Sequence, residues 1–154
     1  MATRGIQLLK TLGVEYEILA YRYDKMGARI AAEAIGFPED IVLKSLVFQA
    51  NNKTFVFALI SSNANVSTRN LGRVSGHKHV EAAAPRDAQR VTGYQVGGIS
   101  PLGSRTALSV YLDETTSRYD YLIINAGGRG TLLRLSTSDL INATGAIVAD
   151  IRAS

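Results

Sequence analysis

The sequence predicts a mixed α+β fold in a single domain covering residues 1–154. A chain of 154 residues fits one domain, since domains usually hold roughly 100–200 residues. Hydrophobic residues make up 46% of the chain and charged residues 19%, a composition that supports a buried core. Helical and strand-like segments follow one another without a regular βαβ alternation, which favours α+β over a parallel doubly wound sheet.

The first half of the chain shows helical and strand periodicities in turn. Apolar residues at 6, 8, 9 and 12 recur at helical spacing, and the alternation over 14–18 is typical of a strand. Two β-rich segments separated by Asn51-Asn52 predict a hairpin. The predicted elements are a helix over 6–12 ended by Gly13, a strand over 14–18, a helix over 28–35 capped by Asp24 and ended by Gly36 and Pro38, strands over 41–48 and 54–61, and a helix over 67–74.

The second half is interrupted by a segment without regular structure. Five of the eleven residues from 93 to 103 are Gly or Pro, which predicts a loop. Ser136, with Asp139 three positions later, is typical of a capping box at the start of a helix. The remaining predicted elements are a strand over 80–84, a helix over 85–91, strands over 107–112, 121–125 and 132–135 with a tight turn at 127–130, a helix over 136–143, and a strand over 146–151.

Composition excludes several kinds of protein. The formal charge of +4 permits contact with a polyanion but does not identify one. The absence of Cys excludes a disulfide scaffold, a thiolate zinc site and a Cys nucleophile. The longest apolar runs are strand-sized, below the roughly 20 residues of a membrane span, and no signal peptide is recognised. We therefore expect a soluble, cytoplasmic protein.

The strongest functional signal is the glycine-rich segment 92–103. Gly97 and Gly98 lack a Cβ, so a ligand could approach the backbone closely, and the N–H groups of such a loop can point at a carbonyl oxygen or an oxyanion. The alternative is an ordinary connecting loop. No Gly-Lys-Ser/Thr follows and no dinucleotide fingerprint is present, so this is not a nucleotide-phosphate loop of either kind.

A second signal is Lys44, the charged residue within the apolar run 41–48. Burying an ammonium is unfavourable unless it meets an anion, and strand register places Lys44 on one face with Val42, Leu46 and Phe48. Lys44 is thus either a ligand for an anionic or carbonyl group, or a lysine at a sheet edge whose ammonium reaches solvent.

Other candidates are weaker. In the turn 125–130, Arg129 either is solvated or faces a phosphate or carboxylate. His77 and His79 lack a third ligand at recognisable spacing, so we expect no metal. Asp113 and Glu114 could act as an acid and base pair, although charges at a strand end are usually solvated. Aromatic residues on strands usually belong to the core, but four tyrosines could stack on a nucleobase: Tyr16, Tyr21, Tyr23 and Tyr94.

The glycine-rich segment carries a family resemblance. Thr92-Gly93-Tyr94 and the run Gly97-Gly98-Ile99-Ser100-Pro101-Leu102-Gly103 resemble the signature loop of the YbaK/ProX family of aminoacyl-tRNA deacylases, the free-standing relatives of the editing domain in bacterial prolyl-tRNA synthetases. The segment 43–48 is similar to the family's Lys-Thr-Leu strand, and 125–130 to its turn ending in Arg-Gly. Together with matches at Tyr21 and Asp113, the resemblance covers about residues 3–152.

This resemblance implies hydrolysis of the ester that joins a wrong amino acid to the 3′ end of a tRNA, most simply cysteine or alanine on a proline tRNA. It implies no metal, no cofactor and no covalent intermediate, a curved barrel-like and mostly antiparallel sheet with short helices, and the tRNA acceptor end as partner, with a synthetase as a further candidate and no DNA or membrane. The implied catalytic residues are Lys44, Gly97, Gly98 and Ser100; the implied substrate-binding residues are Tyr21, Tyr94, Ile99, Pro101, Leu102, Gly103, Asp113, Gly128, Arg129 and Gly130.

The sequence departs from the family at Leu132. Members that clear cysteine from proline tRNA tend to carry an acidic residue there, so the amino acid removed stays open. The alternative hypothesis is that the protein is not an enzyme but a module that binds tRNA or a nucleotide. Leu132 favours it slightly, whereas Lys44 and the complete loop favour the enzyme. If the enzyme reading is right, Lys44→Ala and Gly98→Ala should each abolish deacylation and leave the fold intact.

Overall fold

A computed structural model describes residues 3–51 and 53–154, which contain five α-helices and eight β-strands. The expected α+β class is confirmed, and the element order follows the predicted order closely. The elements are α1 (Arg4–Leu12), β1 (Glu17–Ala20), α2 (Ala28–Ile35), β2 (Leu43–Ala50), β3 (Thr54–Ser61), α3 (Thr68–Ser75), β4 (Val80–Ala82), α4 (Pro85–Thr92), β5 (Ser109–Asp113), β6 (Tyr121–Gly128), β7 (Thr131–Ser136), α5 (Thr137–Thr144) and β8 (Ile147–Ala149), with short 3-10 helices at Glu39–Ile41 and Thr116–Arg118.

The strands form two sheets. One is antiparallel with the order β1-β7-β6, and the other has the order β4-β2-β3-β5-β8. In the larger sheet β5 pairs in parallel with both β3 and β8, while the pairs β2-β3 and β2-β4 are antiparallel. A bridge between Val42 and Ile123 joins the two sheets. The expected mixed, mostly antiparallel arrangement is confirmed, although the sheets do not close into a barrel.

β3 lies at the centre of the larger sheet, and seven of its eight residues are buried. On one face, Phe57 and Leu59 belong to a cluster that also includes side chains of α1, α4, β6 and β7. On the other face, Val56 and Ala58 pack with Leu71 of α3. Burial of apolar surface stabilises the fold by roughly 25 cal/mol per Å², and β3 is buried on both faces. β3 therefore supports the neighbouring strand β2.

Two local expectations in the N-terminal part are wrong. The N–H of Val14 donates to the carbonyl of Leu9 at the glycine-ended terminus of α1, so β1 begins only at residue 17. Asp24 does not cap α2, because the helix begins four residues later, at Ala28, and its N-cap is Gly27, which offers no side-chain cap. The Asp24 carboxylate instead lies 3.7 Å from Nε of Arg22 at the surface.

Several expected boundaries are confirmed. The β2-β3 hairpin forms as predicted, although Asn52 of its turn lies outside the described residues. The hydroxyls of Ser67 and Ser136 accept hydrogen bonds from backbone N–H groups three residues later and begin α3 and α5. The predicted turn at 127–130 is shorter than expected, because β6 extends to Gly128 with a register shift after Asn125.

Candidate active site

Part of the outer edge of β2 is uncovered, and a cavity opens there. At one end of this edge Val42 bridges Ile123 of β6, and at the other end Phe48 pairs with Ala82 of β4. Between these points lies a cavity of about 370 Å³ whose walls come from β2, α2, the start of α4, the loop after α4, β6 and β7. The cavity therefore lies between the bridge to the smaller sheet and the start of the pairing between β2 and β4.

The cavity wall is mostly apolar, with Val47, Ile99 and Leu132 as typical members. Among the lining residues that the structure describes, Lys44 is the one side chain charged at neutral pH, and Tyr21 is the other titratable group. Burial and the neighbouring Tyr23 raise the pKa of Tyr21, so its hydroxyl stays neutral. The site therefore suits a small uncharged group with one polar end.

Lys44 lies on β2, is partly buried and has no carboxylate within salt-bridge distance in the described part of the chain. Burial lowers the pKa of the Lys44 ammonium, while the charge of Glu39 acts in the opposite direction. The Glu39 carboxylate is itself engaged, at 3.5 Å from Nε of Arg29 and 3.4 Å from the hydroxyl of Ser62. The cavity thus holds a cation without a direct counter-ion.

Two side chains hold Val96, which begins the cavity-lining part of the glycine-rich loop. Its N–H donates to Oε1 of Gln89 at 3.0 Å, and its carbonyl accepts from Nε of Arg129 at 2.9 Å. The Arg129 guanidinium also lies over the ring of Tyr23, 5.3 Å from its centroid. The sequence left open whether Arg129 is solvated or faces a phosphate or carboxylate, and the structure shows that one of its donors binds the loop.

The next two peptide groups differ in their hydrogen bonding. The carbonyl of Gly97 accepts from Nδ2 of Asn125 at 3.0 Å. The N–H of Gly98 donates to the carbonyl of Gln95 at 2.9 Å, so it is occupied within the loop. The N–H of Gly97 has no hydrogen-bond partner within residues 3–51 and 53–154, and Gly97 lines the cavity. Of the Gly97 and Gly98 N–H groups, Gly97 therefore offers the free donor.

The space beside the paired glycines is filled by protein. Gly97 has φ +89°, and a Cβ there would overlap the Tyr23 hydroxyl. A Cβ at Gly98 would lie 3.1 Å from the backbone nitrogen of Arg129 and 3.2 Å from the carbonyl carbon of Gly128. These glycines allow close packing of the loop on its neighbours. Gly98→Ala would press a methyl group onto backbone, so it cannot be expected to leave the local structure unchanged.

Several predicted site residues lie behind the loop. The buried Tyr94 hydroxyl donates to the carbonyl of Leu102 at 2.6 Å, and Arg4 covers the Tyr94 ring at 4.8 Å. The buried Ser100 hydroxyl accepts from the N–H of Leu102 at 3.1 Å. The cavity brings together Tyr21, Lys44, Gly97 and Ile99 but not Tyr94, Gly98, Ser100, Pro101, Leu102, Gly103, Asp113, Gly128, Arg129 or Gly130.

Asp113 occupies a separate polar site at the end of β5. It is fully buried, its Oδ2 accepts from Nε of Arg152 at 3.0 Å, and its Oδ1 has no hydrogen-bond partner in the described structure. Arg152 also donates to the hydroxyl of Ser61 at 3.3 Å. Because β3 lies between β5 and β2, Asp113 stands two strands away from Lys44. Geometry therefore gives Asp113 a structural partner and no place in the cavity wall.

The histidine pair gathers no metal site in the described residues. Across 3–51 and 53–154, no three side chains from His, Cys, Asp and Glu are grouped to hold an ion. Nδ1 of His77 instead lies 3.3 Å from Nδ2 of Asn51.

Sequence reasoning missed three contributors to the site. Gln89 and Asn125 bond to the loop, and α2 supplies a wall that includes Ala31. Asn125 is the first residue of the segment 125–130 that the sequence singled out, so what was missed is its hydrogen bond to the loop. No signal in the sequence pointed to Gln89, since only the packing of α4 shows which polar side chain of this helix contacts the loop.

Comparison with known proteins agrees with this architecture. The family described as "Aminoacyl-tRNA editing domain" matches residues 24–143. A relative from Enterococcus faecalis, named "Putative Cys-tRNA(Pro)/Cys-tRNA(Cys) deacylase EbsC", is 32% identical over 97% of this chain and 91% of its own length. A proline–tRNA ligase from Lactobacillus acidophilus is 26% identical over 62% of this chain, which corresponds to 17% of the ligase.

Solved structures show the same fold. One, described as "a putative trans-editing enzyme for prolyl tRNA synthetase", superposes with a TM-score of 0.88 at 27% identity and covers 100% of this chain and 99% of that one. The chain therefore belongs to the aminoacyl-tRNA editing domain family, and the resemblance seen in the sequence is confirmed. No helix within the described ranges combines the length and apolar character needed to cross a membrane.

Proposed function

We propose that this protein is a trans-acting deacylase that hydrolyses the ester between a wrongly attached amino acid and the 3′ end of a tRNA. The observation that carries the proposal is the pairing of Lys44, a cation without a direct counter-ion, with the free N–H of Gly97 around one mostly apolar cavity. A cation and a backbone donor suit a carbonyl oxygen that becomes negative during ester hydrolysis. Membership of the editing family and the relative named as a deacylase support the same reaction.

In the proposed mechanism the aminoacyl side chain occupies the apolar cavity, and the ester lies toward Lys44 and Gly97. Water attacks the ester carbonyl, the carbonyl oxygen gains negative charge, and the ribose oxygen leaves with a proton, giving a free amino acid and uncharged tRNA. Lys44 and the Gly97 N–H stabilise the charged oxygen, and the neighbouring ribose hydroxyl can orient the water. No lining residue that the structure describes carries a Cys, His, Asp or Glu side chain. The lining hydroxyls are those of Tyr21 and Ser45, and the proposal uses neither as a nucleophile.

We propose alanine or cysteine on a proline tRNA as the substrate. Leu132 is buried in the cavity wall beside Ala31 and Val42, so this wall presents methyl groups and no carboxylate. An apolar wall disfavours charged side chains, because they would lose hydration without a partner. Small amino acids are also those that synthetases discriminate poorly by binding alone. The similarity to a proline–tRNA ligase segment and to a trans-editing enzyme for that ligase supports the choice of tRNA.

A panel of mischarged tRNAs tests this function. We expect the protein to release alanine or cysteine from proline tRNA and to leave correctly charged tRNA intact. Lys44→Ala should abolish release, whereas Lys10→Ala, which removes an exposed lysine on α1, should not. Binding of tRNA without release from any member of the panel would support the non-catalytic module instead. Release by Lys44→Ala at the wild-type rate would remove Lys44 from the mechanism.

A further inference from the structure

Side chains from outside the loop bind both peptide groups of Val96, the one it shares with Gln95 and the one it shares with Gly97. Gln89 of α4 accepts from the Val96 N–H, and Arg129, in the turn between β6 and β7, donates to the Val96 carbonyl. Gln89 lies seven positions before Val96 on α4, and Arg129 lies 33 positions after it in the turn between β6 and β7. The segment they hold belongs to no helix or strand, so its conformation depends on such anchors.

We propose that Gln89 and Arg129 are positioning residues that clamp Val96 and thereby keep the Gly97 N–H available to the reacting ester. The inference rests on the proposed deacylase function. It adds Gln89, which the motifs do not assign, and gives Arg129 a positioning role in place of the substrate contact that the resemblance implies. Neither side chain lines the cavity, so each would act through the Val96 backbone and not on the substrate.

The chemistry explains why such a clamp would matter. A backbone donor stabilises a developing oxyanion only if it already points to the right place, because reorganisation during the reaction would cost the energy that the hydrogen bond supplies. A misplacement of about 1 Å can reduce a rate by about a hundredfold. The Arg129 guanidinium that reaches Val96 also lies over the Tyr23 ring, and the Tyr23 hydroxyl lies beside Gly97.

Substitutions at Gln89 separate the hydrogen bond from the bulk of the side chain. Gln89→Met keeps the length but removes the acceptor, and we expect kcat to fall about tenfold or more with little change in KM. Gln89→Glu keeps an oxygen that can accept from Val96 and should restore most of kcat. Gln95→Met is the matched control, because Gln95 lies in the same loop with an exposed side chain, and it should retain wild-type kcat.

Substitutions at Arg129 test the other side of the clamp. Arg129→Met removes the donor to Val96, and Arg129→Lys keeps the charge but not the planar Nε–H group. We expect both to lower kcat by a similar factor, since the clamp needs the donor and not the charge. A rise in KM without a change in kcat, seen in Arg129→Met but not in Arg129→Lys, would overturn the proposal and assign Arg129 to phosphate binding.

Amide hydrogen exchange tests the clamp without any turnover. The Val96 N–H should exchange faster in Gln89→Met than in the wild type or Gln89→Glu. If the wild type releases no amino acid from any tRNA but the exchange pattern is as expected, the proposed function fails and the clamp stands. If the wild type is active and both Gln89→Met and Arg129→Met keep its kcat, the clamp fails while the deacylase function stands.

Discussion

Nε of Arg152 donates a hydrogen bond to Oδ2 of Asp113 at 3.0 Å, and this pair joins the C-terminal segment to the end of β5. Asp113 is fully buried, whereas the Arg152 side chain is 32% exposed. A buried carboxylate needs such a partner, because an isolated charge in the interior is strongly unfavourable. The pair therefore explains an aspartate in this position without a substrate.

Loss of this partner should destabilise the fold and spare the site. Arg152→Met leaves the Asp113 carboxylate buried and unpaired, and we expect the free energy of unfolding to fall by about 2 kcal/mol, less than for a fully buried pair because water reaches Arg152. Urea unfolding measures the loss, with Arg118→Met as an exposed control. Retained kcat in the folded fraction would confirm that Asp113 acts structurally; a selective rise in KM would return it to substrate binding.

The Tyr94 hydroxyl should contribute to stability through the Leu102 carbonyl. Tyr94→Phe leaves that buried carbonyl without its donor, at a cost of about 1–2 kcal/mol. Burial raises the pKa of Tyr94, so the hydroxyl remains a donor throughout the neutral range. Thermal and urea unfolding measure the effect. A variant with unchanged stability but lost turnover would contradict the assignment of Tyr94 to the support behind the loop.

Gly97 and Tyr23 should show coupled effects on the rate. Gly97→Ala introduces a methyl group against the Tyr23 hydroxyl at φ +89°, and we expect a large loss of deacylation. Tyr23→Phe removes the hydroxyl, so the double variant should recover part of the loss while the backbone strain remains. A double-mutant cycle on kcat gives the coupling. Additive losses would show that the clash does not cause the defect.

Activity and stability should respond to high pH in opposite directions at Lys44. Burial lowers the Lys44 pKa below its ordinary value of 10.5. An ammonium required for catalysis is then lost as pH rises through this lowered pKa, so kcat should fall at a lower pH than for an ordinary lysine. Over the same interval the unfolded chain binds more protons than the folded one at this position, so stability at this site rises with pH.

Lys44→Met separates these two effects. The variant should be inactive and lack the Lys44 contribution to the pH dependence of stability, measured as the difference in unfolding curves from the wild type. Glu39 is the charged group that opposes the shift, and Glu39→Gln should move the alkaline limb of activity to lower pH. An alkaline limb unmoved in Glu39→Gln would show that another group titrates.

Leu132 should set the size of the amino acid removed. Leu132→Ala deletes buried methyl groups from the cavity wall, with a cost of about 2 kcal/mol in stability, at the low end for a core leucine because the cavity already borders it. The larger cavity should raise the relative rate for aminoacyl groups bigger than alanine. Deacylation of a series graded by side-chain size measures this preference. An unchanged order of rates would place the specificity determinant elsewhere.

The sequence by itself determined the element order, the α+β class and the family, because these depend on local periodicity, capping residues and a long glycine-rich motif. It could also single out Lys44, since a charge within an apolar strand is unusual wherever the strand lies. Ser67 and Ser136 were predictable as caps, because a cap needs only groups within one helical turn.

Only the tertiary structure decided which residues of the motif face the cavity. Loop residues carry no periodicity, so Gly97 at the wall and Gly98 against the Arg129 backbone were indistinguishable in the sequence. The pairing of Asp113 with Arg152, 39 positions away, and the contact of Gln89 with Val96 depend on how separate elements pack. Such contacts arise from the three-dimensional arrangement of the core, which no local pattern encodes.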